Sequence, residues 1–285
     1  MPWYLKYPYR LKNKKDILGK TYRFKNFLSL GEGVVAKEML YTKSAPAVIV
    51  YTSGTTGVPI GFGISIGIHL PLALGMKTTL WIDIEPDKVV QAFERIKPRH
   101  FVSGPVIVNQ MLESNIKDMK FLSTFAGGGE SLSIEQEKKV NSYLHNKGYN
   151  GNYVTGYGMT ECCATVCTGM QGVYKEGTLG IPLPKVNMKI IDPENGQERK
   201  YGEEGEICFC APNIMVGYFK NPKETDNIIK VHADGKKWIH TGDLGSVNQD
   251  GFLRFQGRIK KIYLTKGSDN SVYKLFPMEI ENVLS

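Results

Sequence analysis

The sequence predicts an α/β fold: a parallel sheet with flanking helices, then a mostly antiparallel, β-barrel-like part, and the start of a small C-terminal domain. Three observations carry this. Short apolar runs alternate with helical patterns from Ala45 onward, as in a sheet built from strand–helix–strand units. After about Gly172 the pattern changes to short strands separated by turn residues. Beyond Arg258 a third style begins. The implied parts are 1–44, 45–172, 173–257 and 258–285.

The leader, 1–44, holds most of the charge. Lys6, Arg10, Lys12, Lys14, Lys15, Lys20, Arg23 and Lys25 face only Asp16, so nearly all of the net charge of +8 lies there. Trp3, Tyr4, Tyr7 and Tyr9 among these bases suit an RNA or membrane surface, but such charge runs are usually solvated, and no nucleic-acid partner is expected. The basic start does not lead into an apolar stretch, so no secretory signal is read and a cytoplasmic location is expected. With 41% apolar residues the chain can bury a real core.

In the α/β part, residues 47–51 read as a buried strand and 78–82 as another. Pro86 opens a helix with Val89, Val90, Phe93 and Ile96 on one face. Phe101 and Val102, then 121–125, continue the strands. Ser133 and Gln136 form a capping-box pattern for a helix from Ile134 to His145, closed by Gly148. Tyr153 and Val154 start the next strand. Residues 61–76 are the most apolar window but too short and glycine-rich to span a membrane. They read as core, and as the likeliest uncovered patch if neighbouring segments are missing. In the β-rich part, 188–191 and 207–209 are strands, and 247–255 is a hairpin around Asp250-Gly251. The five cysteines lack paired spacing and nearby histidines, so reduced thiols rather than zinc ligands are expected.

Tyr51-Thr52-Ser53-Gly54-Thr55-Thr56-Gly57-Val58-Pro59 is the most informative stretch. Its small residues let the backbone close on an anion, and its hydroxyls and N–H groups suit phosphate oxygens. It follows a buried strand, where open α/β sheets bind ligands. No Gly-Lys-Ser/Thr ends it, so it is not a Walker loop.

This loop resembles the signature of the adenylate-forming (AMP-binding) superfamily, in particular the acyl-CoA synthetases. Tyr157-Gly158-Met159-Thr160-Glu161, Thr241-Gly242-Asp243-Leu244 and Gly257-Arg258-Ile259-Lys260-Lys261 resemble later signatures of that family, in the right order. Gly177 to Pro182, Gly217-Tyr218 with Asn221, Pro222 and Thr225, and Pro277-Met278-Glu279 add to the match. The resemblance implies ATP-dependent activation of a carboxylic acid as its acyl-adenylate, with ATP or AMP and Mg²⁺ bound and coenzyme A or a carrier protein as acyl acceptor. It makes 258–285 a hinge and the start of a C-terminal lid, and 1–44 a remnant of an N-terminal subdomain.

Carried over by residue, Ser53, Gly54, Thr55, Thr56 and Gly57 would hold phosphates, and Gly128, Gly129 and Glu130 would line the adenine edge. Tyr157 would stack on the base, Thr160 would meet the α-phosphate, and Glu161 would hold Mg²⁺. Asp243 would bind the ribose hydroxyls, and Arg258, with Lys260 beyond it, would add positive charge. Thr160, Glu161 and Arg258 are the catalytic candidates. Plainer readings make Tyr157 a core aromatic, Glu161 a surface acid and Asp243 a turn residue. The chemistry needs charge neutralisation and positioning rather than a nucleophilic side chain, since the substrate carboxylate is itself the nucleophile.

The sequence departs from the family pattern in three ways. Ile60 stands where a lysine is usual; a helix-bearing stretch after Ile64 is missing; and most of the lid and N-terminal subdomain are absent. A fragment with impaired activity is therefore expected, with a non-catalytic nucleotide-binding module as the alternative.

Overall fold

The computed structural model describes residues 65–79, 86–128, 132–259, 263–266 and 272–275. All lie in one compact unit, Pro46–Ser285. The basic leader, the expected strand at 47–51, the phosphate-loop residues Ser53 to Gly57, Ile60, Gly129, Glu130, Lys260 and the 277–281 motif lie outside the described residues.

The first sheet runs β1 (His100–Ser103), β2 (Thr124–Gly127), β3 (Tyr153–Met159), β4 (Ala164–Thr168) and β5 (Ile181–Pro182), in that order. β1, β2 and β3 are parallel, joined by crossover helices α2 (Pro105–Glu113) and α3 (Ile134–Asn146); α1 (Pro86–Ile96) precedes β1. β4 and β5 are antiparallel, so among the described residues the parallel part is three strands wide. The reversal comes at a 3-10 turn, Thr160–Cys162, ended by Cys163 in the left-handed region at φ 54°.

The core of this half packs Phe93, Val108, Met111, Phe125, Val140, Leu144 and Tyr153. The capping box is present: Gln136 N donates to Ser133 Oγ and Ser133 N to Gln136 Oε1, both at 3.1 Å. Two reserved donors are satisfied reciprocally, which fixes where α3 begins. The helix ends one residue later than expected. β2 starts three residues after the expected 121–125, because Phe121 and Leu122 reach the core from a turn, with Leu122 N bonded to Met119 O at 3.0 Å. Thr78 and Thr79 are not in a strand; Thr78 Oγ1 donates to Gly67 O at 3.0 Å. Within the apolar window, Ser65–His69 and Leu70–Ala73 form a short helical stretch, with Leu70, Leu72 and Leu74 exposed rather than in the core.

The second sheet is antiparallel, in the order β10 (Leu253–Arg258), β9 (Lys237–Val247), β7 (Gly205–Cys210) and β6 (Asn187–Ile191), with β8 (Ile229–Val231) also on β9. Among the described residues β10 and β6 are its edges, so no barrel is closed. Ile207, Phe209, Ile239, Val247 and Leu253 fill its inner face, together with Tyr157, Val166 and Cys167 from the first sheet. The expected 247–255 hairpin is the β9–β10 turn, where Asn248 Oδ1 accepts from Asp250 N and Phe252 N at 3.0 and 2.9 Å. α4 (Pro222–Ile228) leads into β8, and β11 (Tyr263–Lys266) pairs with β12 (Val272–Leu275). Among the described residues no helix is long and apolar enough to cross a membrane.

Candidate active site

Gly128 follows β2 and the Tyr157–Glu161 motif runs off β3, so both lie at the carboxyl ends of adjacent parallel strands. That edge is where open α/β sheets bind ligands. Gly158 sits at a bulge in the β3–β4 pairing. Thr160 and Glu161 form the following 3-10 turn and are half-buried.

The second half of the molecule anchors this turn. Glu161 O accepts from Met215 N at 2.7 Å, and Cys162 O from Asn213 Nδ2 at 2.6 Å. The Tyr218 hydroxyl donates to Glu161 Oε1 at 2.7 Å. Tyr218 is itself fixed, its N–H donating to Thr225 Oγ1 of α4 at 2.9 Å. Burial and the neighbouring Glu161 carboxylate raise the Tyr218 pKa, which keeps its proton available for that bond. Glu161 is thus a held carboxylate with an engaged oxygen, Oε1, and a second oxygen. One carboxylate oxygen that supplements phosphate ligands is the usual protein share of a Mg²⁺ shell, so the residue fits that ion.

Asp243 comes from the middle of β9 and is 5% exposed. Its Oδ2 accepts from the Tyr157 hydroxyl at 2.6 Å. Its Oδ1 is buried without a hydrogen bond, while Arg258 Nε, on β10, approaches it to 3.1 Å as an ion pair. Burial raises the Asp243 pKa, against the lowering effects of the Tyr157 hydroxyl and Arg258. A buried acceptor oxygen left open beside a cation is a place for donors from a ligand, and two ribose hydroxyls fit that requirement. Asp243 lies in a strand, not a turn.

Tyr157, which the resemblance sets against the base, is largely buried. The residue is 8% exposed, and its ring is stacked on Phe209 with centroids 5.6 Å apart and lies 6.4 Å from that of Phe255. It occupies a core position and holds Asp243 through its hydroxyl. Phe209 and Phe255 belong to β7 and β10, far along the chain, so the motif alone does not reveal the burial.

One group was missed. Glu206 and Cys208 on β7 and His240 on β9 bring potential ligand atoms within 4.8 Å of one another. Thus a cysteine does have a histidine neighbour, supplied by strand pairing rather than by spacing, since Cys208 and His240 are ladder partners. Glu206 and His240 are bonded to each other at 2.9 Å, and burial raises the Cys208 pKa, which favours a protonated thiol. The legible signal was His240 standing next to Thr241-Gly242-Asp243.

Comparison with known proteins agrees with this architecture. The chain is 28% identical to a long-chain-fatty-acid–CoA ligase of Salmonella typhimurium, over 98% of this chain and 51% of that protein. That alignment reaches into the residues before Ala45, further than the motifs do. It is 30% identical to a probable 4-coumarate–CoA ligase of Dictyostelium discoideum, over 78% of this chain and 39% of the other. The chain therefore spans about half the length, or less, of these curated relatives. The structure of O-succinylbenzoate coenzyme A synthetase from Bacillus subtilis, in complex with ATP and magnesium ion, shares the fold with a TM-score of 0.68 at 22% identity, covering 90% of this chain and 59% of that one. The model of the AMP-binding enzyme family matches residues 58–219, more than half of the sequence. By this match, the chain belongs to the AMP-binding enzyme family, the adenylate-forming superfamily.

Proposed function

We propose that this chain supplies the nucleotide site of an ATP-dependent ligase that activates a carboxylic acid as its acyl-adenylate, with coenzyme A as the acyl acceptor. The single observation that carries the reading is Asp243: a buried carboxylate with one open oxygen, aligned by Tyr157 and flanked by Arg258.

In this reading Asp243 accepts from the ribose hydroxyls and Arg258 faces ribose and phosphate. Thr160 approaches the α-phosphate. Ser53, Thr55 and Thr56 take the outer phosphates, and Gly128, Gly129 and Glu130 border the adenine. Glu161 would contribute a carboxylate oxygen to Mg²⁺, and that ion would supply charge neutralisation at the phosphates. The protein's share is positioning and charge compensation. The names of the relatives support a fatty or aromatic acid as substrate and coenzyme A as acceptor. Ile60, where the family pattern has lysine, removes one phosphate-facing charge and supports weaker triphosphate binding and slow turnover. It also keeps a non-catalytic nucleotide-binding module as the second reading.

The test is calorimetric titration with ATP and AMP, together with acid-dependent ATP–pyrophosphate exchange over long-chain fatty acids and 4-coumarate. Asp243→Ala should weaken nucleotide binding by about 1.5–3 kcal/mol, the range for a hydrogen bond to a charged group. Unchanged affinity in that variant refutes the ribose assignment. Nucleotide binding with no exchange for any acid selects the non-catalytic reading. Ile60→Lys should tighten ATP binding without raising exchange in proportion.

A further inference from the structure

We infer that Glu206 and His240 form a positioning pair that holds Asp243 in place for the ribose, an inference that rests on the nucleotide reading of Asp243. In the β7–β9 pairing, Cys208 lies opposite His240 and Glu206 opposite Leu244. Three residues of β9, Thr241, Gly242 and Asp243, therefore face the single Ile207 of β7. Bulges of this kind re-aim a side chain and take backbone groups out of the ladder.

Side chains restore what the ladder loses. Gly242 N donates to Glu206 Oε1 at 2.9 Å. Thr241 Oγ1 donates to Ile207 O at 2.8 Å and accepts from Asp243 N at 3.1 Å. The bulge is thus tied to β7 at Thr241 and at Gly242. The other Glu206 oxygen, Oε2, lies 2.9 Å from His240 Nδ1. An ionised carboxylate only accepts, so His240 Nδ1 carries the proton of this bond. His232 Nε2 lies 2.9 Å from His240 Nε2, a hydrogen bond whose direction is set by the ring tautomers. Glu206 thus accepts from both His240 and Gly242.

The Glu206 and His240 side chains are only 12% and 11% exposed, so water does not readily replace a lost partner. Burial pushes the Glu206 pKa up, yet the bonds from His240 and Gly242 bring it below the ordinary value. It remains the acceptor that the bulge needs. Neither side chain has to touch the nucleotide for this role.

The test uses the full chain and two probes, ATP and 2′,3′-dideoxy-ATP, which lacks both ribose hydroxyls, with thermal unfolding measured alongside. Wild type should prefer ATP by about tenfold or more, and Asp243→Ala should abolish the preference. Glu206→Ala should raise the ATP Kd by about tenfold and leave the dideoxy Kd within about twofold, so the preference collapses. Glu206→Gln should keep much of it, because the amide oxygen still accepts from Gly242. His240→Leu, which removes the donor without opening a large void, should lose part of it and serves if Glu206→Ala does not fold. A folded Glu206→Ala or His240→Leu protein with the wild-type preference overturns the positioning role. So does equal loss for both probes, which marks a merely structural pair. If Asp243→Ala itself leaves the preference intact, the ribose reading fails first and the positioning role falls with it.

Discussion

The two sheets deliver their site residues in different ways. The first releases Thr160 and Glu161 from the end of β3 into a short turn, and the bonds that fix this turn come mostly from Asn213, Met215 and Tyr218 in the other half. The second holds Asp243 inside an eleven-residue strand, at a bulge tied to its neighbour by Glu206 and Thr241. A strand end gives reach, and its geometry depends on distant contacts. A clamped bulge gives precision, and its geometry is set by adjacent strands.

Two motif glycines sharpen this contrast. A Cβ on Gly158 would lie 1.8 Å from Ala164 O and 2.6 Å from Ala164 C, both backbone atoms of the paired strand. The strands must separate or shift register to accept it. Gly158→Ala should therefore cost more than about 4 kcal/mol, as expected where a substitution forces backbone apart in a packed region. Chemical denaturation should show a protein that is unfolded or has lost the β3–β4 pairing. A folded variant with a midpoint near wild type would mean that this strand end is far more adaptable than its packing implies.

Gly242 has open space where a Cβ would sit, but its φ is +69°. Its requirement is conformational rather than steric. Gly242→Ala should cost about 1–2 kcal/mol, the ordinary cost of placing an L-residue in the left-handed region, and Gly242→Asn should cost less. Both should fold. If Gly242→Ala proves as damaging as Gly158→Ala, the bulge tolerates no strain and the contrast between the two strands disappears.

How much of this was legible depends on distance along the chain. The capping box at Ser133 and Gln136 is local, and it placed the start of α3 correctly. The Asp250-Gly251 turn is local too, and it placed the β9–β10 hairpin. β2 was misplaced because the apolar residues Phe121 and Leu122 look like strand residues but pack from a turn. The reversal after β3 depends on backbone geometry at Cys163, a residue type that does not announce a positive φ. At the candidate site, the motifs point to Tyr157, Glu161 and Asp243 but not to their neighbours in the fold. Phe209 reaches Tyr157, Tyr218 reaches Glu161, and Glu206 reaches Gly242 beside Asp243, all from other strands and loops that only the fold brings together.

The smallest expected effect tests the more loosely held side of the comparison. The Tyr218 hydroxyl donates to Glu161 Oε1, and both residues are only half-buried. In Tyr218→Phe, water can replace the lost donor, so the stability cost should stay within about 0.5–1.5 kcal/mol. The consequence should instead fall on orientation. Without its donor the Glu161 carboxylate rotates more freely, and a carboxylate that ligates Mg²⁺ then loses part of its preorganisation. Groups that orient a metal-binding side chain commonly contribute about tenfold or more, and a single neutral donor belongs at the low end. ATP binding at limiting Mg²⁺ should weaken by about tenfold or less, and saturating Mg²⁺ should largely restore it. AMP binding without metal should not change. Titrations of ATP at several Mg²⁺ concentrations, beside AMP in chelator, separate the possibilities. If AMP and ATP weaken together, Tyr218 supports the shape of the turn rather than the metal ligand, and the strand end is held as firmly as the bulge.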